Sequence, residues 1–177
     1  MRNILIIGGT KGIGKAIVDL LVNENNVICM SRNSTEFSHN NYSHITFDSI
    51  NDEFPDFEKV DTLIYCPGSI NLKPISSLSV EDFRKDFEIN VIGAVKAIKK
   101  YIPLLKKGLN PSILLFSTVA TKLGMPYHAS VSASKSAIDG IVKTLGAELA
   151  PKIRINAIAP TLTKTELASK ILRNDKV

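Results

Sequence analysis

The sequence contains no tryptophan and only two cysteines, and its 177 residues include no long apolar run. The longest runs, such as those at 4–7 and 112–116, fall far short of the roughly 18 residues that a transmembrane helix needs. Met1 leads directly into the first of these runs without a basic and apolar leader, so we expect a soluble chain that is neither exported nor membrane-inserted. Cys29 and Cys66 lie within apolar runs and lack metal-ligand spacing, which favours reduced core residues, no metal and a cytoplasmic location.

The chain carries 22 basic and 17 acidic residues, a formal net charge of +5. These charges are interleaved along the predicted helix faces, which indicates a solubilising surface. The two locally basic stretches, 99–107 and 152–164, lack the alternation of basic and aromatic residues that a nucleic-acid platform uses. We therefore expect no nucleic-acid partner.

Short apolar runs alternate with helical patterns along the chain. Residues 3–7 predict a buried strand, the spacing of apolar residues at 12–22 predicts a helix, and the polar stretch 33–43 predicts a loop. Five further runs without strict polar alternation predict buried strands, at 26–30, 44–47, 60–66, 111–117 and 153–159. Helices are predicted at 79–107, as one helix or as two that meet near Asn90, and at 129–149. The pattern predicts one α/β domain over 1–177, with a doubly wound parallel sheet and ligands at the carboxyl ends of its strands.

A glycine-rich segment, IIGGTKGIGKAI, separates the first strand from the first helix. Gly8 permits a tight turn, Gly12 lets the backbone approach a pyrophosphate, and Gly14 lets the helix pack on the strand. The helix N-terminus adds amide donors and a partial positive charge. The segment predicts a dinucleotide site, and a tight turn without a ligand is the alternative.

The second predicted strand is followed by Ser31 and Arg32 and not by the carboxylate that bonds the adenosine ribose in NAD-binding proteins. Arg32, together with Lys11 in the glycine loop, provides cations for a 2′-phosphate, so NADP(H) is favoured over NAD(H). A solvated loop charge is the alternative for Arg32. Asp48 follows the third strand, where it can accept from an adenine amino group or cap the next segment.

Six motifs, in order, resemble the short-chain dehydrogenase/reductase family: GGTKGIG, CPG at 66–68, EINVIGA, FSTVA at 116–120, SASK and RINAIAPTLTKT at 154–165. The resemblance implies a three-layer Rossmann fold, which the family uses to bind a nicotinamide cofactor. The residues expected at that cofactor are Gly8, Thr10, Lys11, Gly12, Ile13, Gly14, Ser31, Arg32, Asp48, Cys66, Pro67, Gly68, Asn90, Lys135, Pro160, Thr163 and Thr165.

The family uses an asparagine, a serine, a tyrosine and a lysine in catalysis, and this chain departs from that set. Asn90 and Lys135 match the asparagine and lysine, and Thr118 stands at the serine position with a hydroxyl but also a methyl group. The tyrosine position, four residues before Lys135, is Val131. Lys135 is therefore expected to bind the nicotinamide ribose without a phenol to activate, and losing a general acid costs roughly 10²- to 10⁴-fold in rate.

Three nearby side chains are candidates for the missing proton donor. His128 precedes Val131 by three residues, and an imidazole can serve as an acid near neutral pH, so His128 is the first candidate; a capping or surface histidine is the alternative. Ser132 is expected to pack in the helix. Tyr127 is expected either to contact the substrate or to be a spectator.

Two functions follow from the resemblance. The first is an NADP(H)-dependent oxidoreductase acting on a small-molecule carbonyl or alcohol, and the second is an NADP(H)-binding sensor or partner subunit without turnover. The family also implies a homodimer or homotetramer, joined through the helices at 79–107 and 129–149. Family members continue through another helix and strand after the PTLTKT motif, so we expect a C-terminally truncated domain, because an exposed parallel sheet edge is a liability.

Overall fold

The structure of the protein is a computed structural model that describes residues 1–169. All strand pairs in its single sheet are parallel, and their order is β3-β2-β1-β4-β5-β6. The strands are β1 Asn3–Ile7, β2 Asn26–Ser31, β3 Tyr42–Thr46, β4 Thr62–Tyr65, β5 Ser112–Phe116 and β6 Arg154–Ile158. The order reverses between β1 and β4, and an open parallel sheet binds ligands at that point. The predicted doubly wound sheet is confirmed.

Four α-helices within residues 1–169 cover the sheet. They are α1 Gly12–Leu21, α2 Val80–Phe87, α3 Gly93–Leu105 and α4 Ala129–Leu149. A π-helical turn, Glu88–Ile92, joins α2 to α3, and short 3₁₀ turns occupy Ile75–Ser77 and Val119–Thr121. The helical prediction over 79–107 is thus confirmed as two α-helices, with Asn90 in the middle of the turn between them. No helix of the described part is long and apolar enough to span a membrane.

Alternate side chains of the strands enter two separate cores, as the pleat of a sheet requires. Leu5 and Leu63 lie on the face covered by α3 and α4, while Ile4, Ile6 and Ile64 lie on the face covered by α1. This burial on both faces explains why the strands read as continuous apolar runs. The result is a three-layer α/β/α domain.

The start of α2 shows why the chain becomes helical there. The Ser79 hydroxyl accepts a hydrogen bond from the Asp82 backbone N–H at 3.1 Å, and the Asp82 carboxylate accepts from the Ser79 backbone N–H at 2.9 Å. This reciprocal capping box satisfies two amides that a helix start leaves without partners. Ser79 is therefore the N-cap of α2.

The π-helical turn is held in place by Tyr65 at the end of β4. The Tyr65 hydroxyl donates a 2.8 Å hydrogen bond to the carbonyl oxygen of Ile89, and Ser49 Oγ lies 3.2 Å from the same hydroxyl. A Cβ atom at Gly93 would overlap that hydroxyl, so glycine is the residue that fits here without displacing Tyr65. The end of the strand therefore fixes the turn that carries Asn90.

One predicted boundary is wrong. The third strand was predicted at 44–47 after a polar loop at 33–43, and the structure begins β3 at Tyr42 and ends it at Thr46. This strand lies at the edge of the sheet, and three of its five residues, Ser43, His44 and Thr46, are polar, so its apolar signal is weak. The last part of the predicted domain, 170–177, lies outside the described residues.

Candidate cofactor cleft

A cleft of about 650 Å³ opens at the carboxyl ends of the central strands, at the point where the strand order reverses. Most of the residues predicted for the cofactor line it: Gly8, Thr10, Lys11, Gly12, Ile13, Gly14, Ser31, Arg32, Asp48, Cys66, Pro67, Gly68 and Thr165. The glycine loop, the end of β2 and the CPG motif thus meet in one cavity.

Nine further residues line the cleft without having been predicted from the sequence: Ile7, Met30, Asn33, Phe47, Ser49, Ile50, Asn51, Ile89 and Leu167. Several of them directly follow or end strands, so the rule that parallel strands present ligands at their carboxyl ends would have found them. Glu166 also lines the cleft, and no motif pointed to it.

The glycine loop has the backbone geometry that only glycine adopts without strain. Gly8 and Gly12 have φ angles of +80° and +53°. A Cβ atom at Gly14 would overlap the carbonyl oxygen of Gly8, so the absence of a side chain lets α1 begin directly against the loop. The first amides of α1 are thereby presented to the cleft, as an anion site requires.

The two predicted cations have different surroundings. Lys11 Nζ forms an ion pair with Glu166 at 2.8 Å, and both side chains are largely exposed. Arg32 is exposed and forms no ion pair within 1–169, but its positive charge contributes to lowering the pKa of Asp48. The Asp48 carboxyl has a lowered pKa, first because it accepts from the Ile50 backbone N–H, and also because Arg32 is positive.

The contacts of Asp48 correspond to the capping alternative. Its Oδ1 accepts from the Ile50 N–H at 3.0 Å and its Oδ2 accepts from Asn51 Nδ2 at 3.1 Å, so the carboxylate stabilises the turn after β3. Its place in the cleft still leaves it beside the loop that an adenine ring would contact.

Ser31 ties the glycine loop to the edge of the sheet. The Thr10 hydroxyl donates to Ser31 Oγ at 3.1 Å, and Ser31 Oγ donates to the carbonyl oxygen of Asn33 at 3.0 Å. His44 Nε2 lies 2.9 Å from Ser31 Oγ. Ser31 therefore positions the loop as well as lining the cleft.

Lys135 is buried on α4, and its Nζ donates a 2.8 Å hydrogen bond to the carbonyl oxygen of Phe116 at the end of β5. Desolvation lowers the pKa of Lys135 to about 8, and a smaller contribution from Cys66 opposes that change. The same burial raises the pKa of the Cys66 thiol to about 12. An ammonium at neutral pH thus lies next to a neutral thiol.

Asn90 and Lys135 converge on Gly68. A Cβ atom at Gly68 would lie 3.3 Å from Asn90 Oδ1 and 3.6 Å from Lys135 Nζ. Asn90 Oδ1 is buried and has no hydrogen-bond partner among the described residues. An acceptor and a cation therefore face the same space at the edge of the cleft.

Thr118 and Val131 lie near this region but take no part in its hydrogen bonds. Thr118 Oγ1 accepts from the Ala120 N–H at 3.3 Å and caps the 3₁₀ turn. Val131 is buried one helical turn before Lys135, on the inward face of α4. An apolar side chain thus occupies this face beside the ammonium.

His128 lines a second groove and not the cofactor cleft. Its Nδ1 lies 2.7 Å from the carbonyl oxygen of Pro126, and since a carbonyl only accepts, Nδ1 carries the proton. Tyr127 and Ser132 share the groove, and the Ser132 hydroxyl donates to the carbonyl oxygen of Ala120 at 2.9 Å. The structure therefore places His128 apart from the cleft, while Asn90 and Lys135 lie behind Gly68 and are not among the residues that line either cavity.

The segment after β6 contributes only part of its predicted set. Thr165 lies over the glycine loop, with its Cγ2 atom 3.3 Å from the position of a Cβ at Gly12. Pro160 accepts from the Val119 N–H at 3.3 Å, and Thr163 Oγ1 donates to the carbonyl oxygen of Thr161 at 3.1 Å. Pro160 and Thr163 do not line the cleft.

A family model described as enoyl-(acyl carrier protein) reductase matches residues 44–177, about three quarters of the chain. An uncharacterised oxidoreductase of Schizosaccharomyces pombe is 30% identical, over 97% of this chain and 74% of that protein. The chain belongs to the short-chain dehydrogenase/reductase family. This confirms the resemblance drawn from the six motifs.

Solved structures of short-chain dehydrogenases/reductases have the same fold. The ligand-free aldohexose dehydrogenase of Thermoplasma acidophilum superposes with a TM-score of 0.87 at 27% identity, over 96% of this chain and 70% of that one. ElxO with NADP bound has a TM-score of 0.85 at 28% identity, over 97% and 77%. A variant of ElxO with a tyrosine replaced by phenylalanine has been solved with NADPH bound, with a TM-score of 0.83 at 27% identity.

Proposed function

We propose that this chain is an NADP(H)-dependent oxidoreductase that interconverts a small-molecule carbonyl compound and an alcohol. The observation that carries the proposal is the convergence of Asn90 Oδ1 and Lys135 Nζ beside Gly68, at the edge of a cleft walled by the glycine loop. A buried acceptor without a described partner and a buried ammonium are groups that a bound ligand would satisfy.

The residues of the cleft fit a nicotinamide dinucleotide. The amides at the start of α1 would hold the pyrophosphate, and Lys135 would hold the nicotinamide ribose. Lys11 and Arg32 would bind the 2′-phosphate, and the carboxylate of Glu166 at 2.8 Å from Lys11 supports an anion at this position. The NADP-bound structure of ElxO, a relative with the same fold, supports the same cofactor.

When bound, the cofactor supplies or accepts the hydride. We propose that Thr118 orients the substrate oxygen with its hydroxyl and that Asn90 and Lys135 hold the polar network at the nicotinamide end. Since Val131 occupies the position expected for the tyrosine, the proton for the substrate oxygen requires another source. His128 is proposed for this role: while its Nδ1–H donates to the Pro126 carbonyl oxygen, the imidazolium form would give its Nε2 proton to the substrate oxygen during reduction, and the neutral form would take that proton back during oxidation. Because His128 lines the second groove, the substrate would have to extend there.

The second candidate function is cofactor binding without turnover. The buried, apolar Val131 favours it, because this side chain places no proton donor on the inward face of α4 next to Lys135. The NADPH-bound ElxO variant supports it too, since that protein retains the cofactor with phenylalanine in place of a tyrosine. Such a protein would act as a sensor or as the partner of an active subunit.

One experiment separates these functions. NADPH binding is measured by fluorescence titration for the wild type and for Lys135→Met, and NADPH consumption is followed with a panel of aldehydes, ketones and sugars. Binding with turnover supports the oxidoreductase, and binding without turnover on any substrate supports the second function. No saturable NADPH binding by the folded wild type would refute both.

We also propose that the protein is a homodimer or homotetramer joined through α4 and the helical run 80–105. The outward face of α4 carries small side chains, and a Cβ atom at Gly140 would meet no atom within 4 Å, so a second helix can approach closely there. Sedimentation of the protein showing only monomer at micromolar concentration would contradict this assembly.

A further inference from the structure

A buried carboxyl group lies next to the cleft residues and belongs to none of the motifs. Asp86, near the end of α2, is 3% exposed and lies one helical turn before Asn90, which is 1% exposed. Ser69, directly after Gly68, bridges the two side chains. Its Oγ donates to Asp86 Oδ1 at 2.5 Å and accepts from Asn90 Nδ2 at 2.9 Å.

The chemistry of an amide fixes the direction of this chain of hydrogen bonds. Asn90 Nδ2 can only donate, so Ser69 Oγ accepts from it, and the single hydroxyl proton of Ser69 is directed to Asp86. The second Nδ2 proton goes to the Asp86 backbone carbonyl at 2.7 Å. Both Nδ2 protons are thus donated toward Ser69 and Asp86. The Oδ1 atom of the carboxamide points the opposite way, toward Gly68 and Lys135.

We propose that Asp86, acting through Ser69, is a positioning residue that holds the Asn90 carboxamide with its oxygen toward Lys135. Without the acceptor on Asp86, the Ser69 hydroxyl is free to donate to Asn90 Oδ1, and the carboxamide can turn over. Its NH₂ group would then face the Lys135 ammonium, an unfavourable arrangement of two donors. This inference deepens the proposed function, since it concerns the residues that would hold the nicotinamide end of the cofactor.

The orientation of Asn90 affects Lys135 because an acceptor near a buried ammonium stabilises its charged form. Burial already lowers the pKa of Lys135 to about 8. Turning the carboxamide over removes the acceptor and adds a donor, so the pKa would fall further. The titration of Lys135 therefore reports the orientation without requiring turnover.

The test is an NMR titration of the Lys135 Cε resonance in ¹³C-lysine-labelled protein, assigned with Lys135→Met. Ser69→Ala removes the oxygen that accepts one Nδ2 proton, which leaves the carboxamide held by the Asp86 backbone carbonyl alone. The carboxamide can then turn over, so the Lys135 pKa is expected to fall by about 0.5 to 1 unit. Asp86→Val is expected to do the same, whereas Asp86→Asn keeps an acceptor oxygen for Ser69 and is expected to shift the pKa less. The matched control is Ser112→Ala, which removes a 3.2 Å contact with Thr62 Oγ1 at the amino end of the sheet.

A double-mutant cycle gives the decisive comparison. In an Asn90→Ala background there is no carboxamide to orient, so Ser69→Ala is expected to produce no further shift. A Ser69→Ala shift no larger than that of Ser112→Ala, or one that persists in full without Asn90, would overturn the proposal. If Ser69→Ala does not fold, Asp86→Val against Asp86→Asn answers the same question. Absence of carbonyl reduction would count against the oxidoreductase function and would leave this result intact.

Discussion

The ammonium of Lys135 lies 2.8 Å from the carbonyl oxygen of Phe116, inside the domain at the end of β5. In the unfolded chain the pKa of this lysine is about 10.5, and in the folded chain burial lowers it to about 8. Between these values the unfolded state binds more protons than the folded state. The free energy of unfolding contributed by Lys135 therefore rises with pH across this window, by at most about 1.4 kcal/mol per pH unit.

Urea unfolding of the wild type and of Lys135→Met between pH 7 and pH 10 measures this contribution. The variant keeps an apolar chain of similar length and removes the charge, so the wild type is expected to gain stability relative to it as the pH rises from 8. A difference between the two proteins that is independent of pH would show that the lysine titrates normally in the folded state.

Arg32 provides a test of cofactor preference. We expect Arg32→Ala to weaken NADPH binding by about 10- to 100-fold and to leave NADH binding nearly unchanged, because the lost contact is charge-assisted and specific to the 2′-phosphate. Fluorescence titration with both cofactors measures this. The control is Arg154→Ala, which removes an equal charge at the first residue of β6, where Arg154 Nη2 contacts the Asn110 carbonyl oxygen at 3.3 Å. Equal affinity for both cofactors in the wild type would refute the preference.

Val131 and His128 provide a test of the proton donor. If His128 supplies the proton, His128→Ala is expected to reduce turnover by about 100-fold or more, and Val131→Tyr is expected to add little or to obstruct the site. If the chain only binds the cofactor, His128→Ala changes nothing and Val131→Tyr is expected to create weak reductase activity beside Lys135 and Asn90. Turnover by the wild type that does not change in His128→Ala would exclude both His128 as the donor and binding without turnover. It would favour Tyr127 or a bound water as the proton donor.

Gly93 provides a test of the π-helical turn. A Cβ at this position would overlap the Tyr65 hydroxyl, so Gly93→Ala is expected to destabilise the protein by about 1 to 3 kcal/mol. Adding Tyr65→Phe removes the hydroxyl, and the double variant is expected to lose less stability than the two single losses combined. Gly124→Ala is the control, since a Cβ atom at Gly124 would meet no atom within 4 Å. Additive losses at Gly93 and Tyr65 would exclude the steric explanation.

The sequence predicted the fold well because its signals are local. A buried strand, a glycine loop and an amphipathic helix follow one another within 3–21, and the structure has β1 and α1 there. The point near Asn90 where two helices meet was also predicted from a local pattern, and the structure has the π-helical turn between α2 and α3 there. The edge strand β3 was misplaced because an edge position shows less burial, and so less apolar pattern, than a central one.

The side-chain relationships of the site could not be predicted in this way. Ser69 and Asp86 are 17 residues apart, and nothing in the local pattern indicates that their side chains meet. The pairing of Lys11 with Glu166 joins positions separated by 155 residues. The place of His128 in a second groove depends on the turn that precedes α4, which its spacing from Val131 does not specify.

The ion pair between Lys11 and Glu166 also has a thermodynamic consequence for ligand capture. Lys11 and Arg32 are the two cations proposed for the 2′-phosphate, and Lys11 is already neutralised by Glu166. Binding a phosphate at Lys11 therefore exchanges one anion for another. Such an exchange releases fewer small counterions than binding to two uncompensated cations. The affinity for NADPH is therefore expected to depend only weakly on ionic strength, with Arg32 responsible for most of the dependence that remains.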